Sequence, residues 1–256
     1  MKYVFPDLAR RGLCNMLFTW AQAVSHCYHN KAEMIAPIWI KLMRIGPWLR
    51  RERYKRFYGG EFTNNGYITG FRRWFLLHFQ KKNIKIFSGM EGFFDPFLRD
   101  QKIIKDELYR IVSPYILSKV KNDFVESDRR VIAVHVRRGD FSKVGLATPD
   151  SWFIDAINIA LQSVGENEVI IRVFTDGYPE EVMFISKAFP QHKVIVMGKA
   201  PAIQDLLMMS KATILVCSPE STFSMWAVFL GQMPSIWRKG CVVPNLYVNK
   251  NQILFA

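Results

Sequence analysis

The chain lacks most of the features that would place it quickly. Its four cysteines, Cys14, Cys27, Cys217 and Cys241, form no CxxC pair and keep no regular spacing. That argues against a disulfide scaffold or a zinc knuckle and suits a reducing cytoplasm. No apolar run reaches the ~20 residues needed to span a bilayer. The opening Met1-Lys-Tyr-Val-Phe-Pro-Asp7 has no apolar signal-peptide core. The expectation is a cytoplasmic protein, soluble or peripheral on the inner face of the membrane. No two aspartates stand two apart, so an Asp-x-Asp pair is missing. There is no internal repeat and no low-complexity tract. Half of the residues are apolar, which excludes a largely disordered chain.

Acidic residues are also scarce, 22 against 35 Lys and Arg, for a net charge of +13. The imbalance is local. Between Lys41 and Lys85 there are twelve Lys or Arg against Glu52 and Glu61. Aromatics interleave with these charges: Trp48, Tyr54, Phe57, Tyr58, Phe71, Trp74 and Phe75. Nucleic acid, an anionic membrane surface and an acidic substrate all fit such a segment, as does a solvated charged face. A nucleic-acid reading requires a binding module or a stacking platform, and none is visible.

With 256 residues the chain is long enough for one large domain or two small ones. Tyr3-Val-Phe reads as a strand, followed by a basic loop, Arg10-Arg11-Gly12-Leu13-Cys14-Asn15, and a helix over Met16 to His29. His26-Cys27-x-His29 has a faintly metal-like spacing, but a helix flank is the better reading. Met34 to Trp39 reads as a second strand, and 71–80 as a helix. Residues 96–121 read as a longer helix that Pro114 interrupts, and 121–130 as a polar linker. The domains are therefore expected at 1–125 and 126–256. Beyond the linker the pattern is regular. Strands are expected at 131–136, 169–175, 194–197, 214–217 and 235–237, with helices at 152–163, 179–189, 203–210 and 222–230. Strand and helix alternating with short connections imply a parallel sheet covered on both faces.

Three of these strand ends carry polar groups, and a doubly wound sheet brings such ends to one crevice. The first is Val131-Ile-Ala-Val-His135-Val-Arg137-Arg138-Gly139-Asp140-Phe141. Arginine's planar fork suits phosphate oxygens, and Gly139 permits a turn or a close approach. A strand end closed by a surface Arg–Asp pair is the plainer alternative. The second end is Thr175-Asp176-Gly177. The third is Ser218-Pro-Glu-Ser221-Thr222-Phe223-Ser224, where hydroxyls and free N–H groups at a helix start make either an anion site or an ordinary N-cap.

His-x-Arg-Arg-Gly-Asp-Phe after an apolar strand resembles the donor motif of the GDP-fucose-dependent fucosyltransferases. These include the bacterial α-1,2 enzymes and the α-1,6 and Nod-factor enzymes. Ser221-Thr-Phe-Ser224-Met-Trp-Ala resembles their Ser-Thr-Phe-Ser-Trp-Trp-Ala, and Asp205-Leu-Leu-Met-Met their Asp-Leu-x-Leu-Met. Arg11-Gly12-Leu13-Cys14-Asn15-Met16-Leu17-Phe18 is similar in register to their opening Gly-Gly-Leu-Gly-Asn-Gln-Met/Leu-Phe, departing at Arg11, Cys14 and Met16. Gly92-Phe93-Phe94 also has a counterpart. The likeness is strongest over 131–237, fainter over 1–30 and 88–112, and absent over 41–85.

The resemblance implies a GT-B-like fold, two Rossmann-type domains with parallel sheets facing a cleft. The C-terminal domain would bind GDP-fucose and the N-terminal one the acceptor. It implies inverting transfer of L-fucose from GDP-β-L-fucose to a glycan, with an α-1,2 linkage first and α-1,6 as the alternative. His135 and Asp176 would seat the guanine, and Arg137 would contact the β-phosphate with Arg138 supporting the loop. Ser221, Thr222 and Ser224 would hold the diphosphate, and Gly12 and Asn15 would add donor contacts. Arg137 and Asp140 are the catalytic candidates, Asp140 either as base or as a group orienting the arginines. With no Asp-x-Asp, arginine and a helix N-terminus would replace a metal, so none is expected. A lipid-linked acceptor and peripheral contact with anionic membrane also fit the family, and nucleic acid does not. A non-catalytic protein that binds a nucleotide sugar is the remaining alternative.

Overall fold

The computed structural model describes residues 2–8, 12–39, 58–125, 130–139, 148–165, 168–249 and 252–256. Arg10 and Arg11, residues 41–57 of the basic segment, linker residues 126–129 and Asp140 lie outside the described residues. The described residues divide into two compact units, 2–117 and 118–256.

The first unit is built on β1 (Tyr3–Pro6), which alternates half-buried Tyr3 and Phe5 with buried Val4 and Pro6. It is the middle strand of a three-stranded parallel sheet, between β2 (Glu33–Met34) and β3 (Ile84–Phe87). Helix α1 (Leu13–Asn30) starts directly after Gly12 and stops where Lys31 turns left-handed and donates its N–H to Cys27 O. Starting at Leu13 rather than Met16 adds a turn whose first N–H, that of Leu13, is accepted by the Tyr58 hydroxyl at 2.8 Å. Phe18 of α1 packs edge-on against Phe94 with ring centres 4.8 Å apart.

Three expectations change here. The second strand closes after two residues and a single bridge at Ile35, and Pro37 has no N–H with which to continue it. β3 falls within a stretch that showed no strand pattern. Of its residues only Ile84 is buried, so pairing with β1, rather than local alternation, defines it. The helix expected over 96–121 is three pieces: a 3₁₀ stretch (Asp95–Asp100), α3 (Gln101–Ile111) and α4 (Pro114–Val125). Proline sits at the first position of α4, where its missing N–H costs nothing. The 71–80 helix is α2 (Gly70–Phe79).

The second unit centres on β4 (Arg130–Val136), buried from Val131 onward. Five further strands are β5 (Val169–Thr175), β6 (Lys193–Val196), β7 (Ile214–Val216), β8 (Ser235–Trp237) and β9 (Ile253–Phe255). The order is β6-β5-β4-β7-β8-β9, with every pair parallel. β9 was not expected from the sequence. Helix α5 (Asp150–Val164) packs on one face, where Phe153, Ala156 and Ile157 meet Ile132, Val134 and Val136 of β4 in one apolar cluster. Residues of α6 (Met183–Ala188), which follows a 3₁₀ turn at Pro179–Val182, join that cluster.

The other face of β4 carries His135, which meets α8 (Thr222–Gly231). Helix α7 (Ala202–Met209) packs beside α8. β5 carries a buried cation, Arg172, whose guanidinium donates to Asp123 O near the end of α4 at 2.7 Å. A cation there faces the negative end of the helix.

The two helices approach most closely where α8 ends. A Cβ built on Gly231 would lie 2.3 Å from the carbonyl oxygen of Ser210, next to the end of α7. A backbone oxygen cannot swing aside as a side chain can, so the helices must part. We expect Gly231→Ala to destabilise the protein by roughly 1–3 kcal/mol, the range for overpacked cores. A lower urea midpoint at unchanged m-value checks it; an unshifted midpoint would show that this contact is slack.

Candidate functional site

From β4 the chain runs outward on one side, to β5 and then β6, and returns to β7 on the other. The gap between β4 and β7 is therefore the switch point of the sheet, where ligands bind beyond the carboxyl ends of strands. The β4–β7 ladder ends with Val134 opposite Val216. Past it, the Ser218 hydroxyl takes over as partner: it donates to His135 O at 2.7 Å and accepts from Arg137 N at 2.8 Å. One side chain thus continues the sheet and fixes the backbone of the arginine loop. Sequence reasoning quoted Ser218 but gave it no role. A hydroxyl directly after a buried strand was the available signal.

The loop is held from the β5 side as well. Asp176 Oδ1 accepts from Arg138 N at 2.7 Å and from Gly139 N at 2.9 Å. A Cβ on Gly139 would lie 2.6 Å from Asp176 Oδ2, and one on Gly177 2.7 Å from Arg138 Cβ. The two glycines let adjacent loops interlock. Asp176, implied to seat the guanine, is thus engaged with the protein through one of its oxygens. Oδ1 already accepts two amides, which fills its lone pairs, so only Oδ2 is open to a base.

Arg138 is held within the protein in a way that suits the loop-supporting role implied for it. Its side chain is buried, and its guanidinium donates to Thr148 O at 2.8 Å and pairs with Asp150. It lies over the rings of Phe153 and Phe184, 5.8 and 5.7 Å from their centres. That cation ties the loop to the start of α5. Arg137 is half-buried, its backbone set by Ser218.

His135 lies 2.7 Å from the Ser224 hydroxyl through Nδ1, with the Phe223 ring 5.4 Å away. Both His135 and Ser224 are buried, so the Ser224 hydroxyl is engaged with the histidine. Burial, with Arg137 nearby, pushes the His135 pKa down to about 3. The ring is neutral in the working range.

Ser221 is different. It caps α8 in extended geometry without making the usual side-chain cap bond. It is fully buried, and its Oγ has no partner among the described residues. An orphaned hydroxyl beside the unsatisfied N–H groups of a helix start is an anion-binding arrangement. Thr222, half-buried, follows it.

Gly12 and Asn15 belong to the first unit and open α1, where Asn15 N and Met16 N both donate to Gly12 O. Asp140 lies outside the described residues. His29 bonds Asp100 at 3.0 Å and His26 lies 3.2 Å from the Asn30 amide, the behaviour of a helix flank. Among the described residues no group of three or more His, Cys, Asp or Glu is assembled.

The depressed His135 pKa gives a pH dependence of definite sign. In the unfolded chain histidine titrates near 6.5, and in the fold near 3. The unfolded state therefore takes up the proton first, so stability from this site is whole above pH ~6.5 and is lost as pH falls towards 3. Between pH 7 and pH 5 the loss is about 2 kcal/mol. We expect His135→Gln to lose correspondingly less than the parent over that interval in urea unfolding. Equal losses in the two proteins would show that His135 is solvated when folded.

The structure is similar to that of the NodZ α-1,6-fucosyltransferase soaked with GDP-fucose, at 14% identity and TM-score 0.58, covering 91% of this chain and 93% of that one. It is also similar to POFUT1 in complex with GDP, at 15% identity and TM-score 0.57, covering 91% and 96%. The fucosyltransferase NodZ from Bradyrhizobium matches at 16% identity and TM-score 0.53, covering 91% and 93%. These likenesses identify the fold as the expected GT-B-like α/β architecture with parallel sheets. No curated protein matches the sequence. A family model for glycosyl transferase family 11 matches residues 36–244, which leaves Gly12 and Asn15 outside the match and takes in the whole switch-point site. The chain belongs to glycosyl transferase family 11, a family of fucosyltransferases.

Proposed function

We propose that the protein transfers L-fucose from GDP-β-L-fucose to a glycan hydroxyl with inversion, forming an α-1,2 linkage. The observation that carries this is the pairing, at the switch point, of the arginine loop with a helix start whose buried Ser221 hydroxyl is unpartnered. A diphosphate suits that arrangement: its charge meets Arg137, and its oxygens meet Ser221, Thr222 and the first-turn N–H groups. The two similar structures obtained with GDP-fucose and GDP support the choice of nucleotide. Asp176 Oδ2 is left to accept from the guanine, and His135 sets the wall beside it.

In the reaction the acceptor oxygen attacks C1 of fucose on the face opposite the nucleotide. The bond from C1 to the β-phosphate oxygen breaks, and the acceptor proton passes to a base, for which Asp140 is the candidate. The leaving diphosphate gains charge as that bond breaks, so cations and amides aimed at it lower the barrier.

We assign the acceptor to the first unit. A cavity of about 290 Å³ there is lined by Trp39, Tyr58, Phe62, Asn64, Thr69 and Arg73, among others. Trp39 stacks on Phe62 with ring centres 3.9 Å apart and donates its indole N–H to Asn64 at 2.9 Å. Aromatic walls with a few fixed polar groups suit the mixed surface of a sugar.

Arg137→Ala should lower kcat/KM by about 100-fold or more, since charge-assisted hydrogen bonds are worth roughly 1.5–3 kcal/mol each. The circular dichroism spectrum should be unchanged. Near-parental transfer by the folded variant would remove the donor-site assignment, and linkage analysis of the product separates α-1,2 from α-1,6. Protein groups alone are assigned to the diphosphate, so transfer should persist in excess EDTA. Loss that manganese or magnesium restores would assign part of that role to a metal.

A further inference from the structure

We infer that α2 and the basic stretch after it form a surface that docks the protein on an anionic lipid bilayer. Helix α2 holds to its own unit by a narrow side. Leu76 is its one buried residue and joins Ile35, Ile68 and Ile84 in a small apolar cluster. Arg73 donates to Ala36 O at 2.9 Å and lies over the Phe5 ring. A surface helix normally turns its apolar stripe inward. Here the larger stripe points out: Phe71 is 76% exposed, Trp74 46%, Phe75 40% and Phe79 66%.

The spacing of those four, together with His78, is i, i+3, i+4, i+7, i+8, which is a single helix face. Their rings form one patch. Phe71 stacks on Trp74 at 5.5 Å, while Phe79 lies 5.6 Å from Trp74 and 5.4 Å from Phe75. A contiguous exposed aromatic patch of this kind marks an interaction site.

Charge selects the occupant. Between Glu61 and Glu91 the chain has five Lys or Arg, at 72, 73, 81, 82 and 85, and no acidic residue. Arg72, Lys81, Lys82 and Lys85 are exposed, although Arg72 is shared with Glu33 at 2.8 Å. Outward tryptophan and phenylalanine set among lysines and arginines match the two parts of a bilayer surface. The rings enter the interface between headgroups and acyl chains, and the cations meet anionic headgroups. A neutral glycan supplies no counterpart to the cations. No described helix is long and apolar enough to cross a membrane, so the contact is peripheral.

The test uses the full chain and vesicles of phosphatidylcholine, with or without phosphatidylglycerol. The parent should co-sediment with the anionic vesicles, not the neutral ones, and be released by 0.5 M salt. The triple variant Phe71→Ser, Trp74→Ser, Phe79→Ser should bind at least tenfold more weakly while transferring to a soluble acceptor as the parent does. These side chains are exposed, so folding should survive, and circular dichroism checks it. A second variant, Lys81→Glu, Lys82→Glu, Lys85→Glu, should also weaken binding. Brominated lipid should quench parental tryptophan fluorescence, and Trp74→Phe should remove most of that quenching. Parental binding by either multiple variant, or quenching unchanged in Trp74→Phe, would overturn the inference. So would a parent that ignores anionic vesicles but dimerises through α2, with the dimer lost in the triple variant on sedimentation.

Discussion

The site depends on one carboxylate oxygen. Asp176 Oδ1 accepts the N–H groups of Arg138 and Gly139, and this bond joins the ends of two neighbouring strands into one rigid edge. Backbone amides beyond a strand end have lost their ladder partners and must find others. The carboxylate supplies a charged acceptor for two of them at once. That closeness is possible only because Gly139 and Gly177 carry no Cβ, since either would collide with the neighbouring loop. The backbone of Arg137 lies between this clamp and the Ser218 hydroxyl that accepts its N–H.

The two arginines of the motif are held differently: Ser218 accepts the backbone N–H of Arg137, whereas Arg138 is bound through its guanidinium. Arg138 turns inward, where Thr148, Asp150 and two aromatic rings receive it. Its burial is compensated by those partners, as a buried cation requires. The serines divide in the same way. Ser218 and Ser224 are engaged with β4, through its backbone and through His135. Ser221, one residue before α8, has a hydroxyl that no described residue uses. A buried polar group without a partner is costly to keep, and under the proposed function this hydroxyl donates a hydrogen bond to the diphosphate.

In the first unit the weight of packing falls on α1 and β1, and α2 is attached through Leu76 and Leu77, the Arg73 bond to Ala36 O and the Arg72–Glu33 pair. Its aromatic face is left largely outward, with Phe71 and Phe79 the most exposed.

The sequence by itself determined the parallel α/β character of the second unit, most of its strands, and the three strand ends that carry polar groups. Those features are local: a strand buried on both faces is a continuous apolar run, and glycine, proline, serine and aspartate mark where it ends. It also determined the family, because the loop after β4 and the start of α8 are short and rich in functional groups. Tertiary structure alone decided which way each of those groups faces. It chose the partners of the Arg138 guanidinium, gave Ser218 its place in the ladder, and filled Asp176 Oδ1 with two backbone amides. It likewise decided that Ile84–Phe87 and Ile253–Phe255 are strands. Each of these short segments becomes a strand through a partner distant in sequence, β1 for the first and β8 for the second. Periodicity within a window cannot record a hydrogen bond made to a residue outside it.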